Sequence, residues 1–242
     1  MNSETSSTGA TPHHSMIHIK LPEFLTKPLS IPEKFTHQFA RQTQSLAWFT
    51  VYPILKALFK IEVTGSEHLK NAPASLLIVS NHFSPFDGFF FYAIFKAYCP
   101  QFPLRFIAVN KFDGKFLKTI NRLGIVAFIY TLFSVLVVTI GAGIDKNLEG
   151  AKRALNFNQS VVIYPEGGFN KDGSKLLPFK KGAAVLGIAT GKEILPIIFK
   201  VVKKQSLRRT MKITIGQTFK LEKDLTYEEG TDIIYKQMSE IY

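Results

Sequence analysis

The chain has 242 residues and a single cysteine, Cys99. One thiol closes no intramolecular disulfide and offers no thiolate cluster to zinc or iron–sulfur, so a secreted disulfide framework and a metal finger are both excluded and a reducing compartment fits. Acidic residues are scarce as well: 18 Asp plus Glu face 30 Lys plus Arg, a formal charge of +12. A field of that size calls for a polyanionic partner, either nucleic acid or an anionic lipid surface. Tryptophan occurs once against 22 phenylalanines, and 46% of the residues are hydrophobic. High positive charge joined to high apolarity favours a membrane surface. An RNA-recognition or helix-turn-helix pattern is missing and the aromatics sit in apolar runs, so no nucleic-acid partner is expected. There is no internal repeat, no collagen-like period and no low-complexity tract long enough to replace one globular domain with attachments.

Residues 1–16 are Ser, Thr, Gly and Pro with no apolar signal-peptide core, and read as a disordered leader. Residues 17–60 read as an N-terminal helical membrane anchor: after Pro22, Pro28 and Pro32, a helix is expected from Glu33 to Lys60, kinked at Pro53. Its dense apolar run, Leu46 to Phe59, is too short to span a bilayer but suits an interfacial helix with Trp48 and Tyr52 at headgroup level; a helix packed on the core is the alternative.

Residues 61–242 read as an α/β domain, a mixed central sheet flanked by helices. Strands are predicted at Ser75–Ser80, Arg105–Val109, Ser160–Tyr164, Ile194–Val201 and Met211–Phe219. Helices are predicted at Asp87–Tyr98, Gly114–Arg122, Asn147–Phe157, Lys181–Thr190 and Tyr227–Ile241. The uncharged stretch Leu123–Ile144 meets the length criterion for a transmembrane helix, yet its glycines and the β-branched run Val135–Ile140 suit a helix followed by a buried strand equally well.

Two strand–loop–helix junctions carry the chemistry-bearing residues. In SLLIVSNHFSPFD the strand stops at Asn81-His82 and a helix restarts through Ser84 and Pro85, with Asp87 in a capping-box-like position. That accounts for Asp87 structurally and leaves His82 unexplained. An imidazole just beyond a buried strand is placed to act as a general base when a carboxylate fixes its tautomer, and Asp87 is within reach. The second junction, Tyr164-Pro165-Glu166-Gly167-Gly168-Phe169, follows the strand VVIY and leads to Lys171, Lys175, Lys180 and Lys181. Its glycines permit close approach of backbone to a ligand, and Glu166 would receive a hydroxyl or fix the loop. Two loops resemble nucleotide motifs only superficially: Gly141-Ala142-Gly143 lacks the third glycine, and GIATGKE has the wrong spacing for a phosphate-binding loop.

Taken together, these blocks resemble the glycerophospholipid acyltransferase family, which includes the 1-acylglycerol-3-phosphate acyltransferases, from about Leu46 to Val201. The first family block corresponds to Asn81, His82, Ser84 and Asp87, the second to FIAVNKF with Lys111, the third to Tyr164 through Phe169, and the fourth to ILPIIF around Pro196. The resemblance implies an enzyme working at the cytoplasmic face of a membrane, with an anionic lipid surface, a lysophospholipid acceptor and an acyl donor as partners. The donor is a thioester of coenzyme A or of acyl carrier protein, and no cofactor or metal is bound. His82 and Asp87 are then the catalytic pair, and Asn81, Ser84, Lys111, Glu166, Gly167, Gly168, Phe169, Lys171 and Pro196 bind substrate. Backbone amides of the Asn81–Phe86 turn are candidate donors to the thioester oxyanion.

The chain departs from the family pattern at Phe169, which stands where an arginine is usual. Either lysines such as Lys111, Lys171 and Lys175 supply the charge, or the acceptor is a lysolipid or glycolipid without a phosphomonoester. A catalytically silent lipid binder is the remaining alternative, and the presence of both His82 and Asp87 speaks against it. One active site built from His82 and Glu166 also forbids a single membrane crossing between them, so Leu123–Ile144 is expected to fold into the domain or dip into one leaflet.

Overall fold

The structure is a computed structural model, and it describes residues 33–109, 130, 135–139, 143–170, 172–202 and 208–242. In chain order the elements are α1 (Glu33–Leu58), β1 (Phe59–Thr64), a 3-10 turn (Ser66–Leu69), β2 (Leu77–Ser80) and α2 (Asp87–Phe90), which continues as a 3-10 turn (Phe91–Ala93). There follow β3 (Leu104–Val109), β4 (Leu136–Val138), α3 (Ile144–Asn156), β5 (Ser160–Ile163), α4 (Gly182–Thr190), β6 (Ile194–Val202), β7 (Arg209–Ile215) and α5 (Tyr227–Glu240). The strands form one seven-stranded sheet in the order β1-β7-β6-β2-β5-β3-β4, parallel throughout except where β6 meets β7.

The central strands are buried on both faces, which is why they read as continuous apolar runs rather than alternating ones. Along β2, Leu77 and Val79 face a cluster completed by Leu155 of α3, Ala184 and Leu186 of α4, and Ile234 and Met238 of α5. Ile78, on the other face, joins Phe90, Phe91, Phe95, Leu195, Phe199 and Leu55 of α1. Each fully buried Leu or Phe contributes roughly 1.5–3 kcal/mol, so these two layers dominate the stability.

Three expectations change. The N-terminal helix ends at Leu58 rather than Lys60, because Phe59 and Ile61 turn inward as alternate residues of β1, paired in parallel with β7. The expected boundary at 60/61 therefore falls inside a strand. Alpha helix after Asp87 lasts four residues instead of reaching Tyr98. The Tyr92 carbonyl is taken by the Trp48 indole of α1 at 3.0 Å, and Tyr98 adopts a left-handed φ of 61° with its amide on the Ser45 hydroxyl. Within Leu123–Ile144, Leu136–Val138 forms the half-buried β4 in parallel register with β3, while most of that stretch, like the helix predicted over Gly114–Arg122, lies outside the described residues. Among the described residues no helix is long and apolar enough to cross a membrane. In the antiparallel pair β6–β7, Lys200 and Lys212 sit opposite each other.

α1 packs Leu55, Trp48 and Val51 against the sheet, and Gln44 exchanges two 2.8 Å bonds with the backbone of Leu104, so the helix is docked onto the domain. Gly65 follows β1 with φ +76°, where a Cβ would lie 1.9 Å from the Ile215 carbonyl oxygen. Gly65→Ala is expected to cost more than about 2 kcal/mol, because it combines backbone strain with a clash against main chain. Urea unfolding of the two proteins measures it.

Candidate active site

Because β2 and β5 are parallel neighbours with Val79 opposite Ile163, the loops that follow them leave the same edge of the sheet. That is the edge where parallel sheets place ligands. Residues far apart in sequence thereby become neighbours: the His82 amide donates to Glu166 Oε1 at 3.3 Å, and the Asn170 amide donates to the His82 carbonyl at 2.6 Å.

Asp87 Oδ2 organises the first loop. It accepts from His82 Nδ1 at 2.9 Å, the Phe83 amide at 2.8 Å and the Ser84 amide at 3.0 Å. Asp87 is fully buried, whereas the His82 side chain keeps 21% of its exposure. An ionised carboxylate only accepts, so the proton between the two groups belongs to Nδ1, and Nε2 is left with its lone pair. Ser84 Oγ meanwhile accepts from the Phe86 amide at 3.1 Å, which closes a variant of the expected capping box around the helix start.

Two aromatic rings flank the imidazole. Tyr164 is stacked on it at 4.1 Å and 14°, and Phe169 lies at 4.3 Å and 44°. At centroid distances this short, the imidazole is packed against both rings, and a flip would disturb its stack on Tyr164. Burial, reinforced by the Asp87 carboxylate nearby, pushes the Tyr164 hydroxyl well above its ordinary range. That hydroxyl and Asp87 Oδ1 are both buried with no hydrogen-bond partner among the described residues.

The remaining residues singled out from sequence divide into braces and loop surface. Asn81 is buried, and its side chain spends both amide atoms on the Phe199 backbone of β6, at 2.8 and 2.9 Å. Glu166 uses its second oxygen on the Leu177 amide at 3.1 Å, so its carboxylate ties the first loop to the second and to the chain before α4. Pro196 lies in register with Val79 inside the sheet, and its carbonyl accepts from Gly216 at 2.9 Å. Gly167 has φ +65°, and the place its Cβ would occupy is 2.6 Å from Lys180 Cε and Nζ. Gly168 has nothing within 4 Å of such a Cβ, which makes it the open side of the loop. Lys111 and Lys171 lie outside the described residues.

The bonding narrows one expectation. The amides of His82, Phe83, Ser84 and Phe86 are all engaged with protein acceptors and Pro85 has none, so the turn they form has no free donor from His82 to Phe86 for an oxyanion. Sequence reasoning passed over three residues of this loop pair. Tyr164 looked like the last residue of a strand, and nothing in the sequence marks it as a stacking partner. Asn170 bonds the Lys175 carbonyl at 2.7 Å and the Gly173 amide at 3.0 Å, a turn that Asn-x-x-Gly could have signalled. Lys180 was visible only as one lysine of a basic loop. Among the described residues there is no group of three or more His, Cys, Asp or Glu that could hold a metal ion.

A family model described as Acyltransferase matches residues 60–200. The chain is 31% identical over 141 residues to the 1-acyl-sn-glycerol-3-phosphate acyltransferase of Limnanthes alba, covering 57% of this chain and 44% of that protein. It is 33% identical over 140 residues to 1-acyl-sn-glycerol-3-phosphate acyltransferase beta of Homo sapiens, covering 58% of this chain and 46% of that protein. The chain thus spans less than half the length of these relatives. In fold it is similar to the crystal structure of the 1-acyl-sn-glycerophosphate acyltransferase PlsC from Thermotoga maritima, with a TM-score of 0.52, 18% identity, and coverage of 86% of this chain and 78% of that one.

Two substitutions test the geometry. Asp87→Asn presents an amide where three donors converge, so it is expected to lower stability by about 1–3 kcal/mol and to release the His82 tautomer, both readable in thermal unfolding and ring NMR. Tyr164→Phe removes a buried hydroxyl that has no partner and keeps the stack, so the melting temperature is expected to stay level or rise.

Proposed function

The chain belongs to the Acyltransferase family, and on that premise we propose that it transfers a fatty acyl group from an acyl thioester to the free hydroxyl of 1-acyl-glycerol-3-phosphate, forming phosphatidic acid. The observation that carries the reading is the 2.9 Å bond from His82 Nδ1 to the buried Asp87 carboxylate, which leaves Nε2 as the base of a solvent-reachable site. The acceptor's hydroxyl gives its proton to Nε2 as its oxygen attacks the thioester carbonyl carbon. The tetrahedral intermediate then collapses, the carbon–sulfur bond breaks, and the imidazolium returns the proton to the departing thiolate. Asp87 holds the ring and stabilises the imidazolium. No acyl-enzyme and no metal enter this scheme. Coenzyme A and acyl carrier protein thioesters both present the same carbonyl to it.

A different lysolipid or glycolipid acceptor is the second reading, favoured by Phe169, because this ring beside the base brings no charge to meet a phosphate. Work at the cytoplasmic face of a membrane is part of the proposal. Phe39, Leu46, Phe49, Ile54 and Leu58 are each more than half exposed on the side of α1 turned away from the core; Lys56 lies in the last turn of this helix and Lys60 just beyond it in β1, both exposed. Such a stripe beside lysines suits an interfacial helix on anionic lipid.

Acyl transfer by wild type and His82→Ala, assayed with 1-acylglycerol-3-phosphate and with lysolipids lacking a phosphomonoester, tests the chemistry. A loss of at least about a hundredfold on the phosphate acceptor is expected, and activity confined to the other acceptors selects the second reading. Replacing Leu46 and Phe49 with Asp is expected to release the protein from phosphatidylglycerol vesicles in a sedimentation assay while leaving its unfolding midpoint unchanged.

A further inference from the structure

A cavity of about 610 Å³ opens at the end of the sheet opposite the candidate active site, where β5 begins rather than where it ends. Its walls are the first turns of α1, the turn at Tyr98 and the connection between α3 and β5. All 4 residues of β5, a rise of roughly 13 Å, separate it from Tyr164, the ring stacked on His82. The charge of the lining is one-sided: His37 and Arg41 belong to it, and no Asp or Glu does. Burial, with Arg41 and Arg105 close by, holds the His37 imidazole below its ordinary range, so three basic groups crowd together here. Arg41 reaches only the Tyr98 carbonyl, at 3.4 Å, and has no carboxylate partner among the described residues.

The rest of the lining is amide and aromatic. Gln38, Gln42, Asn156, Asn158 and Gln159 bring side-chain amides to it. Gln159 is buried, and its side-chain oxygen has no hydrogen-bond partner among the described residues. Tyr98 and Phe157, also in the lining, are each more than half exposed. Tyr98 at φ 61° and Asn158 at φ 56° are moreover the two non-glycine residues with left-handed backbone among the described residues. Such conformations cost energy and cluster where a site needs them, and both fall on this one cavity.

We infer that this cavity binds a nucleoside phosphate, at a site separate from the one that carries His82 and Asp87. Each part of such a ligand finds its complement in the lining. The Arg41 guanidinium takes phosphate oxygens through paired N–H donors, and His37, protonated beside the arriving dianion, adds another. Side-chain amides donate and accept at once, as the edge of a nucleobase requires. The Tyr98 and Phe157 rings offer faces on which a base stacks. A bare phosphate uses only the first of these complements, and a lipid tail leaves the amides without partners. The volume lies in the range of small-molecule sites, and binding here does not require acyl transfer at His82.

The test is NMR titration of the full chain with the nucleoside 5′-monophosphates, and with uncharged nucleosides, ribose 5-phosphate and inorganic phosphate at equal ionic strength. It is read at the imidazole signals of His37 and His82, assigned by His37→Gln and His82→Gln. At least one nucleotide is expected to bind wild type with a Kd below about 1 mM, and about tenfold or more tightly than its nucleoside, ribose 5-phosphate or phosphate. It is expected to move the His37 signals and raise the pH at which that ring protonates, because a dianion beside it favours the cation, and to leave His82 unmoved. Arg41→Met keeps an apolar stem and removes the charge, and is expected to weaken binding about tenfold at an unchanged unfolding midpoint. Absence of saturable nucleotide binding overturns the inference. Equal binding of inorganic phosphate, which marks a counter-ion site only, also overturns it, as does a nucleotide that perturbs His82 and leaves His37 unmoved. Where Arg41→Met lowers the unfolding midpoint, the ring shifts of wild type decide alone.

Discussion

Three donors converge on one carboxylate oxygen at the end of β2, and most of what the site can do depends on that convergence. Asp87 Oδ2 takes the His82 ring and the Phe83 and Ser84 amides at once. A buried carboxylate is tolerable only when its charge is met by hydrogen bonds, and the turn meets it with backbone rather than with a cation. The same bonds set the path of the turn, start α2 and fix which imidazole nitrogen carries the proton. Structure and chemistry are one constraint here, which is why the amides from His82 to Phe86 are spent within the protein.

Glu166 repeats the device from the opposite side. Also buried, and without a cation partner among the described residues, it receives the amides of His82 and Leu177, so the first loop cannot move independently of the second. Asn81 adds a third tie, to Phe199 in β6. Parallel pairing of β2 with β5 and β6 is what makes these ties short, because it sends all three strand ends to one edge. A single bilayer crossing between His82 and Glu166 is incompatible with the 3.3 Å bond between them.

The central strands and the two junctions were legible because both signals are local: apolar runs of four or five residues, each stopped by polar residues with Pro or Gly close behind. The pairing of His82 with Asp87 was legible for the same reason, being contained in one loop. β1 was not, since six residues that alternate only weakly follow directly on a helix and are made a strand by β7, more than a hundred residues later. The length of α2 was not, since residues expected to continue it are held by α1, the Tyr92 carbonyl by the Trp48 indole and the Tyr98 amide by the Ser45 hydroxyl. The aromatic rings on His82 and the seat of Lys180 arise between loops that only the sheet brings together, and a single sequence carries no mark of such contacts. Of the two readings of the apolar run in α1, packing on the core is what the contacts of Trp48, Val51 and Leu55 show, while the interfacial reading of its exposed side belongs to the proposal.

The account stands on His82 presenting Nε2 as a free base while Asp87 holds the proton on Nδ1. Nitrogen-15 NMR of the imidazole, assigned by loss of the signal in His82→Gln and recorded where the ring is neutral, reads this directly. The account predicts a pyrrole-type Nδ1 carrying a strongly hydrogen-bonded proton and a pyridine-type Nε2. A ring with its proton on Nε2, or one exchanging freely between tautomers, would contradict it.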